Sequence, residues 1–270
     1  MESLEIAVQA ARIGADVLLG HWQQLGKEHA DTKARNDWVS IADRESEAAI
    51  VEFLQDVCPE DACLGEEGGR TTLATGAGSG RTWIIDPLDG TSNYLQHFPF
   101  WSVSIALQDR GEMVVGVVYE PLRDEMFAAE KGAGAFRNEV RMRVSEQKEL
   151  EGSFIATGFP FRAQKFVSTY VRIFEDVVRR AKGVRRAGSA ALDLAYTAAG
   201  IFDGFFEIHL APWDVAAGGV LVREAGGVVS DFSGGDSFWE NGNIVGATAG
   251  VHRELIEAIG RHTTEEQLAR

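Results

Sequence analysis

The segment Trp83-Ile84-Ile85-Asp86-Pro87-Leu88-Asp89-Gly90-Thr91-Ser92-Asn93 passes from apolar to acidic to turn-forming residues within eleven positions. Trp83, Ile84 and Ile85 form a short aromatic and β-branched run suited to a buried strand. Pro87 cannot donate a ladder hydrogen bond and biases Asp86 toward an extended conformation, so the chain is expected to leave the sheet there. The carbonyl of Leu88 falls between two carboxylates. Gly90 permits a sharp turn, and Thr91-Ser92 match the polar opening of a helix, where unpaired N–H groups favour an anion. One segment thus offers oxygen ligands for a hard cation beside a cradle for phosphate. Asp-Pro and Asp-Gly are also ordinary turn dipeptides, so the metal-site reading leans on two other stretches, Gly65-Glu66-Glu67-Gly68-Gly69 and Pro212-Trp213-Asp214-Val215-Ala216-Ala217-Gly218-Gly219.

A chain of 270 residues with 45% hydrophobic content can bury a substantial core, either as one large domain or as two fused lobes. Its formal net charge of −15 disfavours nucleic-acid phosphates and anionic membranes as partners, and an anionic substrate would need metal ions to approach. With two cysteines, Cys58 and Cys63, and six scattered histidines, the chain is neither a disulfide-dense scaffold nor a carrier of a convincing zinc-ligand set. Both cysteines read as free thiols. No secretory signal pattern opens the chain and no apolar run approaches the roughly 20 residues of a membrane span. A cytoplasmic enzyme is the expectation.

Apolar spacing predicts an amphipathic helix from Leu4 to about Leu25, a surface loop or hairpin over Lys27 to Asp37, and a helix from about Asp43 to Asp56 with Asp43 as its N-cap. Cys63 to Glu67 reads as a short strand delivering two acids, followed by an exposed loop from Thr71 to Gly80. Phe100 to Leu107, Gly111 to Tyr119 and Glu125 to Ala129 read as successive antiparallel strands. In the second half, strands are expected at Ser153 to Thr157, Gly204 to His209, Val228 to Ser230 and Ile244 to Ala247. Helices are expected from about Ala163 to Ala181, over Ala190 to Gly200, from Asp214 to near Ala225, and from about Val251.

Taken together, Asp37-Trp38-Val39-Ser40-Ile41-Ala42-Asp43, Gly65-Glu66-Glu67, Trp83 to Asn93, Ala156-Thr157-Gly158-Phe159-Pro160-Phe161, Gly188-Ser189-Ala190-Ala191-Leu192-Asp193-Leu194 and Trp213 to Gly218 resemble the inositol monophosphatase family of metal-dependent sugar phosphatases. The bacterial branch is the most similar, and the resemblance spans nearly the whole chain. It implies an α/β (α+β layered) fold, a two-lobed α/β/α/β/α sandwich, with residues 1–150 as an N-terminal metal-binding lobe and 151–270 as a C-terminal lobe that completes the site. It also implies a homodimer.

Carried over position by position, the resemblance implies that Glu66, Asp86 and the Leu88 carbonyl hold one Mg²⁺, and that Asp86, Asp89 and Asp214 hold another. A third, weaker ion would sit near Glu66. Thr91 would work with Glu66 to hold and deprotonate the attacking water, and the backbone of Gly90 and Thr91 would bind phosphate. Arg185, Gly188, Ser189, Ala190 and Glu207, beside Asp89 and Asp214, would hold the alcohol portion of the substrate. Lys33 matches a loop position near the metals, although a lone loop lysine is commonly just solvated. Glu67 reads as a neighbour of the site, and His97 and His209 as packing or surface residues, because Mg²⁺ prefers oxygen. Arg185-Arg186 suits either a substrate anchor or a dimer contact.

The implied activity is Mg²⁺-dependent hydrolysis of inositol monophosphate or a related small polyol phosphate. Fructose bisphosphate, bisphosphorylated nucleotides and histidinol phosphate are substrates of the same family that the metal motif does not separate. Haloacid-dehalogenase-like phosphatases use Asp-x-Asp, with the second acid two residues on. Here Asp86 and Asp89 are three apart. A bacterial member of the resembled family also serves as a binding factor for the transcription machinery, which leaves a protein partner open while the acidic balance argues against direct RNA binding.

Overall fold

The computed structural model describes residues 2–26, 31–34, 37–71, 79–161 and 163–264. The side chains of residues 32–38 and 70–71 lie outside that description, as does most of the loop expected over Thr71 to Gly80. Eight α-helices are described: α1 (Ser3–His21), α2 (Ile41–Val57), α3 (Thr91–Leu95), α4 (Val167–Val178), α5 (Ala190–Ala198), α6 (Pro212–Glu224), α7 (Phe238–Asn241) and α8 (Ala249–Gly260). A 3-10 turn at Gln164–Phe166 leads into α4. The strands are β1 (Asp31–Ala34), β2 (Asp37–Val39), β3 (Ala62–Gly65), β4 (Gly69–Thr71), β5 (Arg81–Asp89), β6 (Ser102–Asp109), β7 (Glu112–Glu120), β8 (Glu125–Glu130), β9 (Gly134–Arg137), β10 (Val140–Met142), β11 (Phe154–Thr157), β12 (Gly183–Arg185), β13 (Gly204–Glu207), β14 (Val228–Ser230) and β15 (Ile244–Ala247).

They form a β1-β2 hairpin, an eight-stranded sheet in the order β10-β9-β8-β7-β6-β5-β3-β4, and a five-stranded sheet in the order β12-β11-β13-β15-β14. The large sheet is antiparallel except where β3 pairs with β5. In the small one β11 runs parallel to both β12 and β13. Period-two alternation sorts the strand residues between faces. Trp83 and Ile85 of β5, Val103, Ile105 and Leu107 of β6, and Val115 and Val117 of β7 pack against α1 and α2. Ile84, Ala106 and Val118 face the other way, into a core shared with α5, α6 and the small sheet. The far face of the small sheet closes on α4 and α8 through Tyr170, Ile173, Phe206, Val245, Val251 and Leu255. The layers therefore run α1 and α2, large sheet, α5 and α6, small sheet, α4 and α8. This is the α/β/α/β/α sandwich that the family resemblance implies.

Several elements depart from expectation for local reasons. The strand β5 does not end at Asp86. It continues through Pro87 to Asp89, because Asp86 pairs with Ser104 and Asp89 with Ser102, so three steps on β5 oppose two on β6. This bulge leaves Pro87 without a ladder partner to disappoint. Helix α2 is capped by Ser40, whose hydroxyl accepts from Ala42 N–H, while Asp43 occupies the third helical position and accepts from Ser40 N–H at 2.9 Å. The first helix stops at His21, and Trp22 turns inward against Tyr94 and Trp101, with ring centroids 5.1 and 5.2 Å away. The strands β4, β9, β10 and β12, each of three or four residues, add to the expected set. No described helix is long and apolar enough to cross a membrane.

Contact between β7 and α6 is close enough to require a missing side chain. A Cβ at Gly116 would lie 2.4 Å from the Ala217 carbonyl oxygen and 3.0 Å from its Cα. Backbone cannot yield as a flexible side chain would, so Gly116→Ala is expected to cost about 1–3 kcal/mol. Equilibrium urea unfolding of the variant beside the parent protein measures it.

Candidate active site

In an uninterrupted strand, residues three apart face opposite sides of the sheet. The bulge in β5 changes that phase. Leu88 packs into the core under α1 and α2 although Asp86, two residues earlier, follows the phase of Ile84 toward α6. Asp89 is thereby returned to the α6 side. Asp214 arrives from the first turn of α6, where Pro212 opens the helix and the Ala211 N–H donates to Asp214 Oδ2 at 2.7 Å. Ligand oxygens of Asp86, Asp89 and Asp214 all lie within 4.8 Å of one another. All three residues are buried. Glu66, in the turn between β3 and β4, lines the same cleft without joining that tightest group.

Asp86 is held well above the ordinary carboxylate range, by burial first and then by the charges of Glu66, Asp89 and Asp214. Asp89 is pushed up to about 6 by burial, against hydrogen bonds from Ser189 Oγ at 2.5 Å and Ala191 N–H at 2.7 Å that favour its charged form. A multivalent cation would relieve that repulsion. The donor set fits a hard ion of the Mg²⁺ or Mn²⁺ type, since it consists of carboxylate oxygens with the Leu88 carbonyl on the same cleft wall.

Gly90 follows with φ 99°, the left-handed conformation that starts α3. A Cβ there would also press on the Phe100 carbonyl at 3.1 Å. Thr91 Oγ1 has one proton and two acceptors in reach, Asp43 Oδ1 at 2.9 Å and the Leu88 carbonyl at 3.1 Å. Asp43 is buried, and burial raises its proton affinity while its bonds from Ser40 and Thr91 oppose the rise. The sequence reading made Asp43 a helix cap; the tertiary structure puts its second oxygen on Thr91. Its hidden signal was the Ser40-x-x-Asp43 capping pattern, which takes the cap role away from Asp43 and frees one carboxylate oxygen.

The opposite wall is set by α5, β12 and β13. Asn93 Nδ2 donates to Phe100 O at 2.7 Å and Ala187 O at 2.9 Å, tying α3 to the loop that enters α5. Gly188, Ser189, Ala190 and Glu207 line the cleft, as do Asp193 and Arg186. Arg185 does not. It stands exposed, with its guanidinium 4.6 Å from the Phe154 ring, while Arg186, also exposed, lies on the cleft lining with its guanidinium over Phe161 at 5.1 Å. Arg185 is the last residue of β12 and Arg186 the first beyond it, so the two arginines leave the strand end in different directions. Glu67 lies outside the lining, His209 on it, and His97 away from it with Nε2 2.9 Å from Leu25 O. Cys63 is buried and its thiol pushed up to about 12 by burial and Asp61, which keeps it protonated. Lys33 falls where side chains are not described.

A family model described as the inositol monophosphatase family matches residues 1–267. The chain belongs to the inositol monophosphatase family. Among relatives in the family, the Nus factor SuhB of Escherichia coli strain K12 is 43% identical over 253 residues, covering 94% of each chain. The extragenic suppressor protein SuhB of Bartonella henselae superposes with a TM-score of 0.89 at 41% identity, covering 96% of this chain and 98% of that one. The inositol monophosphatase of Anabaena gives a TM-score of 0.84 at 35% identity, covering 97% of each. Family and fold together make this chain a phosphatase.

Asp193, which the sequence reading left without a role, is 1% exposed, and its Oδ1 has no hydrogen-bond partner among the described residues. Burial, then Glu207 and Asp89, raise its proton affinity well above the usual value of 3.8, against Arg186. Below that value both folded and unfolded chains hold the proton. Above it the unfolded chain ionises more readily, so the fold loses stability as pH rises from there toward the folded pKa. Asp193→Asn cannot ionise and is expected to raise Tm at pH 7, with the gain shrinking to nothing as pH falls to about 3.8. Thermal melts across pH 3.5 to about 8 would check it, and a constant offset would contradict the assignment.

Proposed function

We propose that the chain hydrolyses a small polyol phosphate monoester of the inositol monophosphate type, with Mg²⁺ held by Glu66, Asp86, Asp89, Asp214 and the Leu88 carbonyl. The observation that carries the reading is the convergence of Asp86, Asp89 and Asp214 oxygens to within 4.8 Å at the foot of a cleft whose far wall carries Glu207. Bound there, the ions would offset phosphate charge, acidify a water and stabilise the departing alkoxide.

The protein's own groups do the positioning. The left-handed turn at Gly90 presents the N–H groups that open α3 to the phosphate oxygens. Thr91 Oγ1 donates its hydrogen bond to Asp43 Oδ1, which leaves its lone pairs to orient the attacking water. Glu66 is the cleft carboxylate assigned to receive the water's proton. Ser189 Oγ and the Ala191 N–H both donate to Asp89 Oδ2, so one carboxylate oxygen joins α5 to β5. Glu207 and the Gly188 to Ala190 segment face the alcohol portion.

A cytoplasmic setting agrees with two unpaired cysteines. A homodimer would cover apolar surface such as Phe98, Val167 and Val171, which stand exposed on the single chain. A second reading, a protein contact with the transcription machinery alongside catalysis, is supported by the Nus factor name carried by relatives 43–44% identical. Co-purification of RNA polymerase with the tagged chain from native extract tests it.

Turnover of inositol monophosphate is expected to stop in excess chelator and return with Mg²⁺. Asp86→Asn should lower kcat by more than ~100-fold, beyond the usual cost of losing an outer partner of a metal ligand, while Glu67→Gln should cost less than about tenfold. Phosphate release assays on both folded proteins decide this, and equal losses would show the acidic residues misassigned.

Specificity has a separate readout. Gln at position 207 keeps one acceptor but loses the charge that strengthens a hydroxyl's hydrogen bond, a difference of order 1–2 kcal/mol. Glu207→Gln should therefore raise KM about tenfold for inositol monophosphate and leave an aryl phosphate unaffected. Parallel kinetics on the two esters give the answer, and a nucleotide or bisphosphorylated sugar preferred by the unaltered enzyme would move it to another branch.

A further inference from the structure

Glu47 lies one helical turn after Asp43 on α2, so the two carboxylates share a helix face. Its side chain is buried, with the residue 6% exposed, and it does not line the cleft. It reaches under the turn between β3 and β4. There Oε2 accepts the N–H of Glu67 at 2.9 Å and Oε1 accepts the N–H of Gly68 at 2.6 Å. One carboxylate thus holds both backbone donors that follow Glu66, in the charge-assisted form of the bond.

The glycines of this turn have the same cause. A Cβ on Gly65 would sit 2.4 Å from Glu47 Cδ and Oε2, and one on Gly68 would sit 2.9 Å from Oε1. The space that side chains at 65 and 68 would need is filled by the Glu47 carboxylate. Glu66 lines the cleft from the backbone between Gly65 and Glu67, so the group that holds the Glu67 and Gly68 N–H groups also sets the backbone from which the Glu66 carboxylate is presented.

We infer that Glu47 is a positioning residue, which fixes the β3–β4 turn so that Glu66 stays against Asp86 as a metal ligand. Helix α2 then gauges the site twice, through Asp43 on Thr91 and through Glu47 on the Glu66 turn. The inference rests on the reading of Glu66 as a ligand, and its test must tell the two apart.

Two substitutions attack the contact from opposite sides. Glu47→Gln replaces one acceptor oxygen with an N–H₂ that faces a backbone N–H, and Gly65→Ala displaces the carboxylate without touching it chemically. Isothermal titration of Mg²⁺ and Mn²⁺ into each full-length protein, with folding checked by circular dichroism, reads the metal affinity directly. Each substitution is expected to weaken the dissociation constant about 10- to 100-fold, the range for losing a group that orients a ligand. The double variant should be no weaker than the worse single one, because both break the same contact. At saturating Mg²⁺ kcat should recover to within a few-fold of the parent enzyme, whereas Glu66→Gln should not recover. Metal affinity within twofold of the parent in folded Glu47→Gln and Gly65→Ala, even with a lowered Tm, would reduce Glu47 to a structural prop and overturn the inference. Tight binding by the parent together with full retention of affinity in Glu66→Gln would instead overturn the assignment of Glu66.

Discussion

Repulsion among buried carboxylates is the constraint around which this molecule is arranged. Asp86, Asp89 and Asp214 bring oxygens to within 4.8 Å of one another out of bulk water, and the charge of Glu66 reaches Asp86 and Asp89 as well. A fold pressed only toward stability would part these groups or replace them. Their persistence together needs rigid elements behind each one and a positive charge in front. The first need is met by the protein, and the second matches a hard cation of the kind the family uses.

Each acid is held by something that cannot follow it if it moves. Asp86 accepts the Leu88 N–H at 3.0 Å inside the bulge. Asp89 is bound by Ser189 and Ala191 at the start of α5, and Asp214 closes the first turn of α6 onto Ala211. Because α5 and α6 are packed between the two sheets, their N-termini are placed by the core and the carboxylates inherit that placement. The site is therefore built where the large sheet, the small sheet and the central helices meet, and glycine at 116 lets β7 approach α6 closely.

Much of this could be read along the chain. The acids Glu66, Asp86, Asp89 and Asp214, the glycines at 90 and 188 and Glu207 were singled out by local turn and strand signals together with the family resemblance of their motifs, and the cleft gathers all of them. What was misread depended on phase or on distant partners. Pro87 signalled an end to the strand and instead sits in a bulge, since the cost of a missing N–H vanishes where no partner is presented. Arg185 and Arg186 are indistinguishable by type, and only the tertiary structure puts Arg186, just past the end of β12, on the cleft lining while Arg185 lies against Phe154.

The sequence by itself determined the chemistry on offer: hard oxygen donors with no zinc-type set, a glycine turn before Thr91, a negative overall charge, and enough alternating apolar pattern for layered sheets and helices. The tertiary structure alone decided which oxygens meet. Asp86 and Asp89 share a face because β6 withholds one residue opposite them, Asp43 serves Thr91 because Ser40 has already taken the cap, and Glu47 reaches the Glu66 turn because α2 lies across it. Local composition fixes what a residue can bond to, but hydrogen bonds and charge pairs at long sequence separation are chosen only when packing sets their distances.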